Sequence, residues 1–179
     1  MSKISVDLSV KGIEKLKRYL LDYKNDLKRK LDVFVRELAE VGIPVIETNM
    51  ADASYSYDGN IRSGSDTTHY THIKLNSFGD VANAKLIVEG KEVLFIEFGA
   101  GVYHNVEVGS TPHPLGSQYG FLIGSYGQGN GAKQIWGYYA DSGELVLTRG
   151  TKATMPVYKA DLAIIQSVVS VAKKVFGGN

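Results

Sequence analysis

The chain has 179 residues, 44% of them hydrophobic, with 20 Lys and Arg against 19 Asp and Glu and a formal charge of +1. That size and apolar content suit one domain with a buried core better than two, and the near balance of charge offers no overall attraction to nucleic acid or to an anionic membrane. With no cysteine, disulfides, thiolate catalysis and Cys-based zinc sites are excluded.

The opening "MSKISVDLSVKG" lacks the apolar centre of a signal peptide, and no run reaches the roughly 18 apolar residues of a membrane span. The expectation is a protein made and kept in a cytoplasm. Residues 4–10, "ISVDLSV", alternate apolar and polar and predict a short strand. From Gly12 the period changes: Ile13, Leu16, Leu20, Tyr23, Leu27, Leu31, Phe34, Leu38 and Val41 recur every three or four residues. This predicts one long amphipathic helix, or a pair broken near Asn25, with charged residues on the wet face. Pro44 is expected to kink or interrupt it.

Residues 52–68, "DASYSYDGNIRSGSDTT", are small and polar and predict a loop. "THIKLNSF" (71–78) and "AKLIVEG" (84–90) predict a strand pair about the Gly79-Asp80 turn. In "VLFIEFGAGVYHN" (93–105) an apolar run meets Glu97, breaks at Gly99 and Gly101 and soon reaches His104. It reads as a strand entering a tight turn, with at least one glycine expected at positive φ. Residues 102–134 are glycine-rich and aperiodic and predict an irregular insertion. "QIWGYYA" and "ELVLTRG" flank Asp141-Ser142-Gly143, a hairpin signal. Pro156 opens a last amphipathic helix marked by Val157, Ala160, Ile164, Val168, Val171 and Val175, which stops at Gly177-Gly178. This order predicts a single α+β domain, with a mainly antiparallel sheet packed against the two helices.

Catalytic signals are thin. His69 and His72 are three apart, so on one strand they point to opposite faces. His104 and His113 sit in the insertion within reach of Glu97 in sequence, and a metal-assisted hydrolase using these three is the enzymatic alternative. The serines of "SGS" (63–65) and "GSYG" (124–127) do not fit a nucleophile elbow. "GQGNGAKQ" (127–134) lacks the G-K-[ST] and following helix of a phosphate loop. The basic face of Lys15, Lys17, Arg18, Lys28, Arg29 and Lys30 is diluted by Asp22, Asp26 and Asp32, and a solvated surface suits it better than a phosphate track. Alternation puts Trp136 and Tyr138 on one face of the hairpin and Tyr139 on the other.

Taken in order, "IEFGAG" (96–101), the His113-Pro114 pair, "WGYYADSGELVLTRG" (136–150) and "ATMPVYKA" (153–160) before an apolar helix resemble the tail-component and neck family of long-tailed bacteriophages. The opening "ISVDLSVKGIEKLKRYL" is similar to that family's first strand and helix. The family motif falls on Glu97, Phe98, Gly99, Gly101, Trp136, Gly150 and Pro156. Two departures stand out: Ala100 replaces a hydroxyl residue, and Met155-Pro156-Val157 replaces a proline-phenylalanine pair. The resemblance implies a non-enzymatic virion subunit without cofactor or metal. Identical copies would form a ring, six by preference, around the DNA channel at the head–tail joint or tail end. Its partners would be other neck or tail proteins, with non-specific proximity to DNA and no membrane. Residues 1–36 carry about +5 and the rest about −4 by counting, which makes Lys28, Arg29 and Lys30 the candidate subunit interface.

Overall fold

The computed structural model describes residues 7, 9–105, 108, 112–121 and 131–177. Helix α1, Val10–Ala51, is 42 residues long. Ser9 Oγ caps it by accepting the Gly12 N–H at 3.2 Å. Asp7 in turn accepts the Ser9 N–H and hydroxyl. The cap replaces the predicted opening strand at Ser9 and Val10; apart from Asp7, the rest of that stretch lies outside the described residues. There is no break at Asn25, and the helix runs through Pro44, correcting the expected interruption. Proline withholds the N–H that residue 40 would accept, but both Pro44 and Glu40 are exposed, so water can satisfy the orphan carbonyl.

Residues 52–68 also depart from expectation, because they hold strands β1, Ser56–Asp58, and β2, Ile61–Ser63. They pair antiparallel across Gly59, which has φ +60°. Three residues are too few to show a period, and β2 gains its second ladder from a distant segment. Strands β3, Tyr70–Leu75, and β4, Ala84–Glu89, form the expected antiparallel pair, closed by mutual hydrogen bonds between Phe78 and Val81 around the turn. The apolar run before Gly99 is not a strand but helix α2, Val93–Phe98. Its buried residues are Val93, Ile96, Glu97 and Phe98, the first three at helical spacing, and a short buried apolar run does not distinguish the two states by period.

Strands β5, Trp136–Tyr139, and β6, Leu145–Thr148, make the expected hairpin. With β1 and β2 they form a four-stranded sheet in the order β1-β2-β6-β5, whose β2–β6 pairing is parallel. The β3–β4 pair is a separate sheet, so the strands are mainly antiparallel but divided between two sheets. Helix α3, Pro156–Phe176, closes the α+β fold.

α3 runs antiparallel along α1: Lys159 Nζ donates to Asn49 Oδ1 at 2.6 Å, Lys174 pairs with Glu37 at 2.9 Å, and Phe34 meets Phe176 with centroids 5.5 Å apart. Ile46, Met50, Ala53, Val93, Ile96 and Ala160 form the buried core. Gly42 sits where the layers come closest, since a β-carbon there would lie 2.5 Å from the Leu86 side chain and 3.1 Å from that of Ile164. Among the described residues, no helix is long and apolar enough to cross a membrane.

Candidate functional site

The segments Glu97–Gly101 and Gly150–Ala160 meet in space. Ala100 and Thr151 exchange backbone hydrogen bonds at 2.9 and 2.8 Å, and the Thr154 N–H donates to the Ile96 carbonyl at 3.0 Å. Asn105 stitches the same crossing, donating to the Thr151 carbonyl at 2.7 Å and accepting the Ala153 N–H at 2.7 Å. Gly99 and Gly101 have φ +81° and +79°, as the turn demands. A β-carbon on Gly99 would lie 2.8 Å from Asn105 Nδ2.

Glu97 is only 5% exposed and lies at the start of α3. Its Oε2 accepts the Val157 N–H at 2.7 Å, and its Oε1 accepts the Tyr158 N–H at 2.9 Å. α3 has no local side-chain cap: its cap residue is Met155, left-handed at φ 56°, ψ 52°, whose side chain has no oxygen to accept a first-turn N–H. Pro156 has no N–H to satisfy. An acidic side chain from another element therefore takes the place of an N-cap, and its charge suits the positive end of the helix.

His113, 4% exposed, is the third donor, with Nε2 at 3.0 Å from Glu97 Oε1. Its Nδ1 accepts the Leu115 N–H at 3.1 Å. With Nδ1 accepting from Leu115, Nε2 is the nitrogen that donates to Glu97, so both ring nitrogens are engaged within the chain. The structure thus brings together two of the three residues of the hydrolase alternative, but commits both to internal hydrogen bonds. His104 stands edge-on to Tyr103, its buried Nε2 without a hydrogen-bond partner among the described residues. No cluster of three or more metal-ligating side chains occurs among the described residues. His69 bonds the Thr67 carbonyl and Glu47, while His72 stacks on Tyr70.

Burial, reinforced by Arg149 and Lys152, holds His104 below the ordinary histidine range. The unfolded chain therefore takes up this proton at higher pH than the folded chain. Stability from His104 is whole above about pH 6.5 and is lost as the pH falls toward and through the folded value. His69 shifts the other way: burial opposes its charge, but the Thr67 carbonyl and Glu47 outweigh it. Its contribution is present at acidic pH and is lost as the pH rises through the raised value. Denaturation of wild type and His104→Gln between about pH 7 and 5 isolates the first effect, because His69 is common to both. Wild type should lose more stability on acidification, and parallel curves would remove the assignment.

Beside the crossing, between α2 and the four-stranded sheet, lies a cavity of about 310 Å³. Arg62, Glu92, Phe95, Trp136, Tyr138 and Thr151 line it together with four glycines. As alternation predicts, Trp136 and Tyr138 share a face, with centroids 5.9 Å apart, while Tyr139 is 76% exposed. The Arg62 guanidinium lies 4.2 Å from the Tyr55 ring centroid and 5.4 Å from that of Tyr138. Sequence reasoning missed Arg62, Glu92 and Asn105, since each acts through segments distant in the chain. Lys28 pairs with Asp80 at 2.8 Å, and Arg29 and Lys30 pair with Asp26 at 2.7 and 3.3 Å. Comparison with protein-family models, characterised proteins and solved structures found no match to this chain.

Proposed function

We propose that this chain is a non-enzymatic structural subunit of a tailed-bacteriophage virion, forming a homo-oligomeric ring, six copies by preference, at the head–tail joint or tail end. The observation that supports the reading is the use to which the motif residues are put. Glu97 fastens α2 to the first turn of α3, which Pro156 opens, Gly99, Gly101 and Gly150 take the positive φ of the turns beside it, and the carboxyl group that an enzyme would present to substrate is enclosed by three donors of its own chain. Such a clasp suits a subunit that must hold one shape under assembly.

Imaging particles produced without this protein tests the reading. DNA-filled heads beside unjoined tails are expected for a joining subunit, and overlong tails for a length-terminating one. Normal infectious particles, or an intact neck and tail with no ring containing this chain, would refute it. Stoichiometric zinc or manganese binding that is lost on mutating His104 and His113 would favour the hydrolase instead.

A further inference from the structure

The cavity between α2 and the four-stranded sheet is short of one kind of chemical group. Arg62 of β2 and Trp136 of β5 both pair with Thr148 of β6. The three residues therefore stand in one row on one face of the sheet, the outer two roughly 10 Å apart, and all three line the cavity. Tyr138, two residues along from Trp136, shares that face. Arg62 Nε and Trp136 Nε1 are both buried without a hydrogen-bond partner among the described residues. Both are donors, so what this wall lacks is an acceptor, and unpaired buried donors are costly enough to need a reason.

The charge on Arg62 points the same way. Arg29 and Arg149 have Asp26 and Asp58 as ion-pair partners, whereas Arg62 is partly buried and pairs with no carboxylate among the described residues. Glu92 lines the same cavity, but its Oε2 is turned to the Asp66 N–H, which it accepts at 2.8 Å. The Tyr55 and Tyr138 rings hold the guanidinium in place. Stacking of this kind occupies the faces of the guanidinium plane, while its N–H groups point out along the edge in a fork that matches the two oxygens of a carboxylate.

We propose that this cavity binds a small carboxylate with an apolar body, its acid group on the Arg62 guanidinium and its body against Phe95, Trp136 and Tyr138. Glu92 decides between anions: with Arg62 it leaves the lining neutral overall, which favours a monoanion over a phosphate dianion. At about 310 Å³ the site stands at the lower end of small-ligand pockets, about 300–1,000 Å³, with room for a ring and its acid group. Two sources present that chemistry, a free aromatic acid and the C-terminal residue of a polypeptide. The site does not rest on the virion reading: it is tested on isolated protein and that reading on particles, so either can fail alone.

Trp136 is the only tryptophan of the chain, so its fluorescence reports on the cavity wall. Full-length protein is titrated with phenylacetate, which stands for the free acid, and with N-acetylphenylalanine, which stands for the chain end. The neutral amide of each and inorganic phosphate are titrated beside them. A saturable change with at least one acid is expected, with its amide at least about tenfold weaker, and the tighter acid identifies the source. Arg62→Gln should weaken the acid to the level of its amide, and Arg62→Lys, which keeps the charge without the planar fork, should fall between. The comparison of acid with amide on the wild-type protein needs no variant, so it decides even where Arg62→Gln fails to fold. No saturable change with either acid would overturn the proposal. So would amides that bind as well as the acids, phosphate binding more tightly than both, or a folded Arg62→Gln protein that binds the acid as wild type does.

Discussion

Replacing Gly150 with alanine is expected to lower the free energy of unfolding by about 3 kcal/mol or more, or to abolish folding. Two costs coincide at this position. Gly150 has φ +85°, a region that costs a residue with a side chain roughly 1–2 kcal/mol. An added β-carbon would also lie 1.9 Å from the Ala100 carbonyl oxygen. That obstacle is backbone and has no rotamer by which to retreat, so relief must open the Ala100–Thr151 hydrogen bonds. Gly59 makes a control: its φ is +60°, but nothing among the described residues lies within 4 Å of its would-be β-carbon. Gly59→Ala should cost only the conformational part, about 1–2 kcal/mol. Urea denaturation of both variants checks the pair, and equal losses would remove the steric argument.

The second large effect is expected at Glu97. Alanine there strands three donors, the part-buried N–H groups of Val157 and Tyr158 and the buried Nε2–H of His113. Each unsatisfied donor costs about 1–3 kcal/mol, so a loss of about 4 kcal/mol or more is expected. Glu97→Gln keeps the shape and one acceptor oxygen but turns an amide NH₂ toward a donor, and about 2–3 kcal/mol follows. Hydrogen exchange gives a separate readout: the first-turn amides of α3 should lose protection in both variants, more in alanine. Unchanged exchange at Val157 and Tyr158 would show that Glu97 is not the cap.

The long-period features were legible in the sequence. The apolar spacing of α1 and α3 and the two hairpins about Gly79 and Gly143 are local patterns, and each appears where its period places it. Positive φ at Gly99 and Gly101 was legible for the same reason. The misses were decided by distant segments. β2 draws its second ladder from β6, so Ile61–Ser63 had no local reason to be a strand. α2 is helical because Val93, Ile96 and Glu97 all turn inward, a fact set by α1 and α3 and hidden in a six-residue apolar run. The site was half legible. Glu97 and the glycines were singled out, but that Glu97 faces α3 depends on a fold that brings positions sixty residues apart within hydrogen-bonding distance.

That separation has a consequence for synthesis. Translation at about 5–20 residues per second takes roughly 3–12 s to cover those sixty residues, and Ala160 of the core is made later still. Throughout that interval the emerging chain carries Ile46, Met50 and Ile96 without the helix that completes their enclosure. A nascent chain halted before Pro156 therefore has no finished core, and incomplete translation products should be degraded by proteases rather than persist as folded fragments.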